Sequence, residues 1–216
     1  MAKNIIFDFG NVLGQCYSDA LTGAYVADVE EKNIIRDVVF DRLYWDRLDR
    51  GTITDDEVIA GVCSRLPEQL HCDAITVYEN WINTMTPVPG MFHVVSELKE
   101  KGHKIYLLSN ISKGFAETYP LIPWIRTLFS LFDGLVFSGV IGMAKPDQEI
   151  FQYVLDTFHL DPKECVFIDD RMDNVNAAKK TGIEAYFFNQ DVNKLREFLE
   201  LPQKKYFLLT TKEDLL

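Results

Sequence analysis

The chain has 216 residues, 47% of them hydrophobic and 25% charged, enough for one good core or for a core domain with a modest insertion. Its 33 acidic against 22 basic residues leave a net charge of −11, which argues against a general nucleic-acid face and against an anionic membrane surface. A small anionic substrate stays compatible, because one lysine and a bound cation can reverse the field inside a single cleft.

No stretch is long enough to cross a bilayer, and the apolar run from Ile5 to Phe9 is too short for a signal peptide and carries Asp8. Cys16, Cys63, Cys72 and Cys165 lack zinc-type or redox spacing. They read as reduced thiols in a cytoplasmic protein, with Cys63 and Cys72 as a less favoured bridge.

The first element is NIIFDF (4–9), a short apolar run of the kind that forms a buried parallel strand. From about Leu13 to Val88 no strand is evident. Helical patterns fill that interval: DALTGAYVADV, NIIRDVVFDRLYWDRLDRG, TDDEVIAGVCSRL with Thr54 as its N-cap, and AITVYENWINTM. TPVPG (86–90) then reads as a linker. A single strand-to-helix connection is rarely this long, so an all-helical insertion over the strand ends is predicted.

After it comes a helix over 91–101 that ends at Gly102, then the strand KIYLLSN (104–110) and the strand GLVFS (134–138). A helix over 147–158 starts behind Pro146. CVFIDD (165–170) and EAYFFN (184–189) are strands, with helices over 174–182 and 192–200. Residues beyond Leu201 read as a last edge strand and turn. Alternating strands and helices predict an α/β fold, a Rossmann-like doubly wound parallel sheet.

Ligands of such a sheet bind beyond the carboxyl ends of its strands. Those ends carry Asp8, then Ser109 and Asn110, then Lys145 in the loop GMAKPD, then Asp169 and Asp170. Singly these are ordinary turn formers, caps or solvated lysines. Two adjacent carboxylates ending an apolar strand repel each other unless a cation or a donor offsets them. Gathered at successive strand ends, the six predict a site. Paired carboxylates suit Mg2+, a lysine and a hydroxyl bind phosphoryl oxygens, and a carboxylate can attack phosphorus to form an aspartyl phosphate. A glycine-rich nucleotide loop is missing, so no nucleotide cofactor is expected.

At these residues the chain resembles the haloacid dehalogenase (HAD) superfamily. FDFGNVL resembles its first motif, LLSN the second, Lys145-Pro146 the third and FIDDRMDN the fourth, in order. The helical insertion resembles the small C1-type cap. The resemblance implies a HAD-like catalytic core over 1–14 and 89–216, with a helical cap domain over 15–88. It makes Asp8 the nucleophile and Lys145 the group that bridges Asp8 and the phosphate. Ser109 and the Asn110 backbone would hold the phosphoryl group. Asp170 would ligate Mg2+ directly, Asp169 directly or through water, and the carboxylate of Asp8 and the Gly10 carbonyl would complete the set. Asn174 falls where the fourth motif has a supporting polar residue, and equally reads as a helix-start residue.

The chain departs from the pattern at Gly10, where phosphatases of this superfamily usually place a second Asp that protonates the leaving group and later activates water. Gly10-Asn11 resembles instead a subgroup that includes a glucose-1-phosphate phosphatase. The missing acid argues against a sugar phosphomutase. It leaves proton transfer, typically worth about 10²–10⁴-fold, to a cap group or to water. Tyr17, Arg42, Trp45, Arg47 and Arg50 are candidates for selectivity in the cap, although LYWDRLDRG reads more simply as core plus a solvated face.

The expected function is a Mg2+-dependent phosphatase acting on a small phosphorylated metabolite, with a sugar phosphate favoured. No nucleic-acid or membrane partner is expected, and the sequence leaves the oligomeric state open. The alternatives are a metal-independent hydrolytic dehalogenase, which the Asp169-Asp170 pair disfavours, and a catalytically impaired phospho-ligand-binding domain.

Overall fold

The computed structural model describes residues 4–204. The proposed edge strand after Leu201 falls mostly beyond them. In chain order the core strand β1 (Asn4–Phe7) leads to a two-residue strand β2 (Gly14–Gln15). Five helices follow: α1 (Ser18–Tyr25), α2 (Val29–Val39), α3 (Arg42–Asp49), α4 (Asp55–Cys63) and α5 (His71–Glu79). The chain returns through β3 (Thr86–Pro87) to α6 (Met91–Glu100), β4 (Lys104–Ser109), α7 (Lys113–Thr118) and α8 (Pro123–Phe129). It closes with β5 (Gly134–Phe137), α9 (Ser138–Ile141), α10 (Gln148–Phe158), β6 (Cys165–Asp169), α11 (Met172–Lys180), β7 (Glu184–Phe187) and α12 (Val192–Phe198).

The five predicted strands form one parallel sheet in the order β5-β4-β1-β6-β7, with β1 at its centre. Side chains alternate across it, and both faces are covered. Ile5, Phe7, Leu107 and Ile168 enter one apolar cluster, while Ile6, Tyr106, Leu108 and Phe167 enter the other. That is why these strands read as unbroken apolar runs.

The helices α1–α5 enclose a third apolar cluster that includes Leu21, Ile35, Val39, Val58, Val62 and Val77. Thr54 caps α4 as expected, in a capping box with Glu57. One feature of this region differs from the sequence reading. β2 and β3 pair antiparallel at the root of the helical segment, so the interval is not free of strand and part of the presumed linker is strand. Trp45 stacks on Phe40 and meets Trp81 edge-on, which makes it a packing residue. The four cysteines are free, Cys63 and Cys72 included. Helices α7 and α8, between β4 and β5, were not expected at all.

One ion pair ties the two ends of the core together. Arg196 of α12 is fully buried and donates to Glu97 of α6 at 2.7 Å and to the Pro202 carbonyl at 2.6 Å. Arg196, with Lys204 against the other carboxylate oxygen, holds Glu97 down at about 2 from its ordinary 4.5. Glu97→Ala removes one charged partner of a buried guanidinium and should cost about 3 kcal/mol, the lower end for a broken buried pair, because the Pro202 bond remains. A carboxyl with a depressed folded pKa contributes stability above its unfolded pKa and loses it as pH falls. Wild-type stability should therefore fall between about pH 5 and pH 2 more steeply than that of the variant. Urea unfolding across that range reads both slopes, and parallel slopes would discard this role for Glu97.

Candidate active site

Register alone brings the first carboxylates together. Phe7 pairs with Leu107 on one side and Ile168 on the other, so the next residue, Asp8, comes between Leu108 and Asp169. The Asp8 amide continues the ladder, donating to the Ile168 carbonyl at 2.9 Å. Asp8, Asp169 and Asp170 each offer an oxygen within 4.8 Å of the others.

Lys145 is buried among them. Its ammonium donates to Asp8 Oδ1 at 2.7 Å, to Asp169 Oδ2 at 2.7 Å and to the Leu108 carbonyl at 2.8 Å. Burial works against this ammonium, but Asp8 and Asp169 hold its pKa above the usual lysine value. Burial pushes Asp8 up to about 7; Lys145 opposes the shift, and Asp169 and Asp170 add to it. Asp170 is also raised, first by burial, with Asn11 pulling the other way.

The three carboxylates are not equivalent. Asp169 is fully buried, and both its oxygens are taken: Arg171 N–H and Asn174 donate to Oδ1, Lys145 and Asn174 to Oδ2. Asp8 receives Lys145 on one oxygen only, and Asp170 receives Asn11 Nδ2 on one oxygen at 3.0 Å. The free oxygens for a hard cation are therefore on Asp8 and Asp170. The donor set fits Mg2+: clustered carboxylates, raised by burial and mutual repulsion, which a cation would relieve.

Ser109 is buried at the end of β4. Asn110 uses its side chain on Lys145, accepting from the Lys145 amide and donating to its carbonyl, both at 2.8 Å. That clamp fixes the lysine loop. Asn174 is the supporting residue and not merely a helix-start residue, since it holds Asp169 from the first turn of α11. The roles of Asn11 and of the Asn110 side chain were not read from the sequence. Asn11 at φ 54° carried the one available signal, because asparagine in the left-handed region of a turn often has a local polar task.

Gly10 shows no steric need for glycine. A Cβ there would meet nothing within 4 Å, and its φ is not left-handed. Crowding at the Cβ therefore does not account for the absent carboxylate.

Residues 2–182 match the family model for the haloacid dehalogenase-like hydrolases. The chain belongs to that family. As a HAD-like hydrolase it is 27% identical over 183 residues to the sesquiterpene phosphatase astK of Aspergillus oryzae, covering 84% of this chain and 87% of that one. It is 27% identical over 207 residues to the D-ribitol-5-phosphate phosphatase of Bacteroides thetaiotaomicron, covering 86% and 91%. Among solved structures, the magnesium complex of the Bacteroides thetaiotaomicron HAD enzyme bt-2542 superposes with a TM-score of 0.64 at 25% identity, covering 90% of this chain and 98% of that one. The HAD-like parallel sheet and the hydrolase class are thereby shared. Among the described residues, no helix of this hydrolase is long and apolar enough to cross a membrane.

Proposed function

We propose that this hydrolase is a Mg2+-dependent phosphatase that cleaves a small phosphate monoester, with a sugar phosphate favoured, through an aspartyl phosphate on Asp8. The observation that carries the reading is the pairing of Lys145 with Asp8 at 2.7 Å beside two further carboxylates. In this reading residues 15–88 form a cap over a core of 1–14 and 89–216.

The steps follow from what each group touches. Lys145 donates to Asp8 Oδ1 and fixes the carboxylate, which leaves one oxygen to attack phosphorus and the other for the cation. The Ser109 hydroxyl and the Asn110 backbone amide bind phosphoryl oxygens, and Lys145, kept in place by the Asn110 side chain, turns to the phosphate one of the three donors it gives to the protein. Asp8, Asp170 and the Gly10 carbonyl would hold Mg2+, with Asp169 supporting the set through Lys145 and Asn174. The cation supplies charge neutralisation for the incoming phosphate. Named phosphatases among the relatives, and a magnesium-bound structural neighbour, support the same class.

A screen of sugar, polyol, isoprenoid and aryl phosphates, each with Mg2+ and with chelator, tests the reading. Turnover of several monoesters that requires the ion is expected. Turnover of 2-haloacids without metal, and none of any phosphate, would overturn it.

A further inference from the structure

We propose that Asp49, from the helical segment, is the proton-transfer residue that stands in for the carboxylate missing at Gly10. This inference rests on the phosphatase reading and adds the acid/base to it.

Asp49 is the last residue of α3, and three contacts set the end of that helix against the core. The Asp49 carbonyl accepts from the Ser138 hydroxyl, and the same hydroxyl accepts from the Ile111 amide at 2.9 Å. Ile111 directly follows Asn110, so only one hydroxyl separates the Asp49 backbone from the loop that carries Ser109 and Asn110. Two residues on, Gly51 adopts φ 65° and lies so close to Gly139 that a Cβ would come within 2.5 Å of the Gly139 carbonyl. Arg50 then reaches Asp147, two residues after Lys145, at 2.6 Å. The end of α3 is thus seated between the two loops that line the site.

The side chain is unusual for its place. An acid at a helix C-terminus opposes the macrodipole, so local stability does not explain it. Among the described residues its carboxyl forms no hydrogen bond or ion pair, although it is half-buried. Burial holds its pKa up at about 7; Arg42 opposes, Asp46 adds, and Lys145 and Arg171 of the core oppose from across the cleft. Tyr78 of α5 also feels it, and Asp55 of α4 is occupied by Tyr78. A carboxyl near neutrality populates both forms, which is what a group that must give and then take a proton needs.

The proton balance closes over two steps. As an Asp8 oxygen bonds to phosphorus, the bond from phosphorus to the leaving oxygen breaks, and that oxygen takes the electron pair and the Asp49 proton. The Asp49 carboxylate then accepts a proton from water as the water oxygen attacks phosphorus. The bond to Asp8 breaks, inorganic phosphate leaves, and Asp49 is again protonated.

The test compares wild type and Asp49→Asn, with Mg2+, across nitrophenyl, phenyl and simple alkyl phosphates. In Asp49→Asn, kcat/KM should fall about 10²–10⁴-fold for alkyl phosphates and less than about 10-fold for the nitrophenyl ester, whose leaving group needs no proton. A burst of nitrophenol should precede slower turnover, because the phosphoenzyme loses its base. The melting temperature should not drop, since no contact of the side chain is lost. Parallel dependence on the leaving group in both proteins, with no burst, overturns the role of Asp49 while the phosphatase reading stands. Absence of wild-type turnover on every phosphate overturns both.

Discussion

Asp8→Asn is expected to remove turnover by about 10⁴-fold or more while leaving the fold intact. The loss is large because the side chain supplies the electron pair that forms the bond to phosphorus, and an amide is a poor nucleophile. The fold survives because the change is isosteric and Asp169 still pairs with Lys145 at 2.7 Å. Stability should move the other way. A carboxyl whose folded pKa is raised to about 7 binds more protons in the native state than unfolded, so its ionisation lowers stability as pH rises through that range. In chelator at pH 7.5, Asp8→Asn should melt at the same temperature as wild type or higher, an instance of a functional group retained at a cost in stability. Phosphate release and thermal melts on a deamidation-free sample measure both effects. More than a hundredth of wild-type turnover would show that water attacks phosphorus directly.

Removal of divalent cations should have a comparable effect, about 10³-fold or more, and Asp170→Ala should make it permanent. The charge count explains why. With all three carboxylates ionised, as attack by Asp8 requires, one ammonium leaves two negative charges in the cleft before a phosphate dianion arrives. Buried charges at these separations interact strongly, so a substrate of the same sign is repelled until a cation balances the set. Asp169 cannot substitute for Asp170, since Lys145, Asn174 and the Arg171 amide already occupy its oxygens. Mg2+ should also raise the melting temperature of wild type, by mass action on the native state, and leave Asp170→Ala unmoved. Full turnover in excess chelator would sink the assignment and favour a metal-independent dehalogenase.

Much of the site was legible in the sequence because the sheet imposes a one-dimensional order on it. A parallel strand buried on both faces must be an apolar run, and its first polar residue past the carboxyl end must stand where ligands bind. Asp8, Ser109, Asp169 and Asp170 are found by that rule alone. Lys145 was found as the lysine of the loop GMAKPD that follows the strand at 134–138. The helical segment was legible through its 3.6-residue periodicity and through the capping box at Thr54.

Other features were settled only by contacts between residues far apart in the chain. β2 and β3 have two residues each, too few for any periodic pattern, and they exist because the two crossings into the helical segment run side by side. The helix α7 is hardly longer than a turn and draws its stability from Phe115, packed against Phe9 and Trp81. Asn110 looks like a turn residue until the lysine loop, 35 positions on, comes within hydrogen-bonding reach. Asp169 and Asp170 are indistinguishable as letters, and differ because one faces Lys145 and Asn174 and the other faces Asn11. Asp49 reads as part of a solvated helix face, and only its seat against Ser138 and Gly139 turns that helix end toward the site. Sequence by itself determined the sheet and the chemical types at its strand ends, since burial pattern and residue chemistry are local. Tertiary structure decided which oxygen is free, which amide clamps which loop and which helix end is seated beside the site, since those depend on distances the chain sets only by folding.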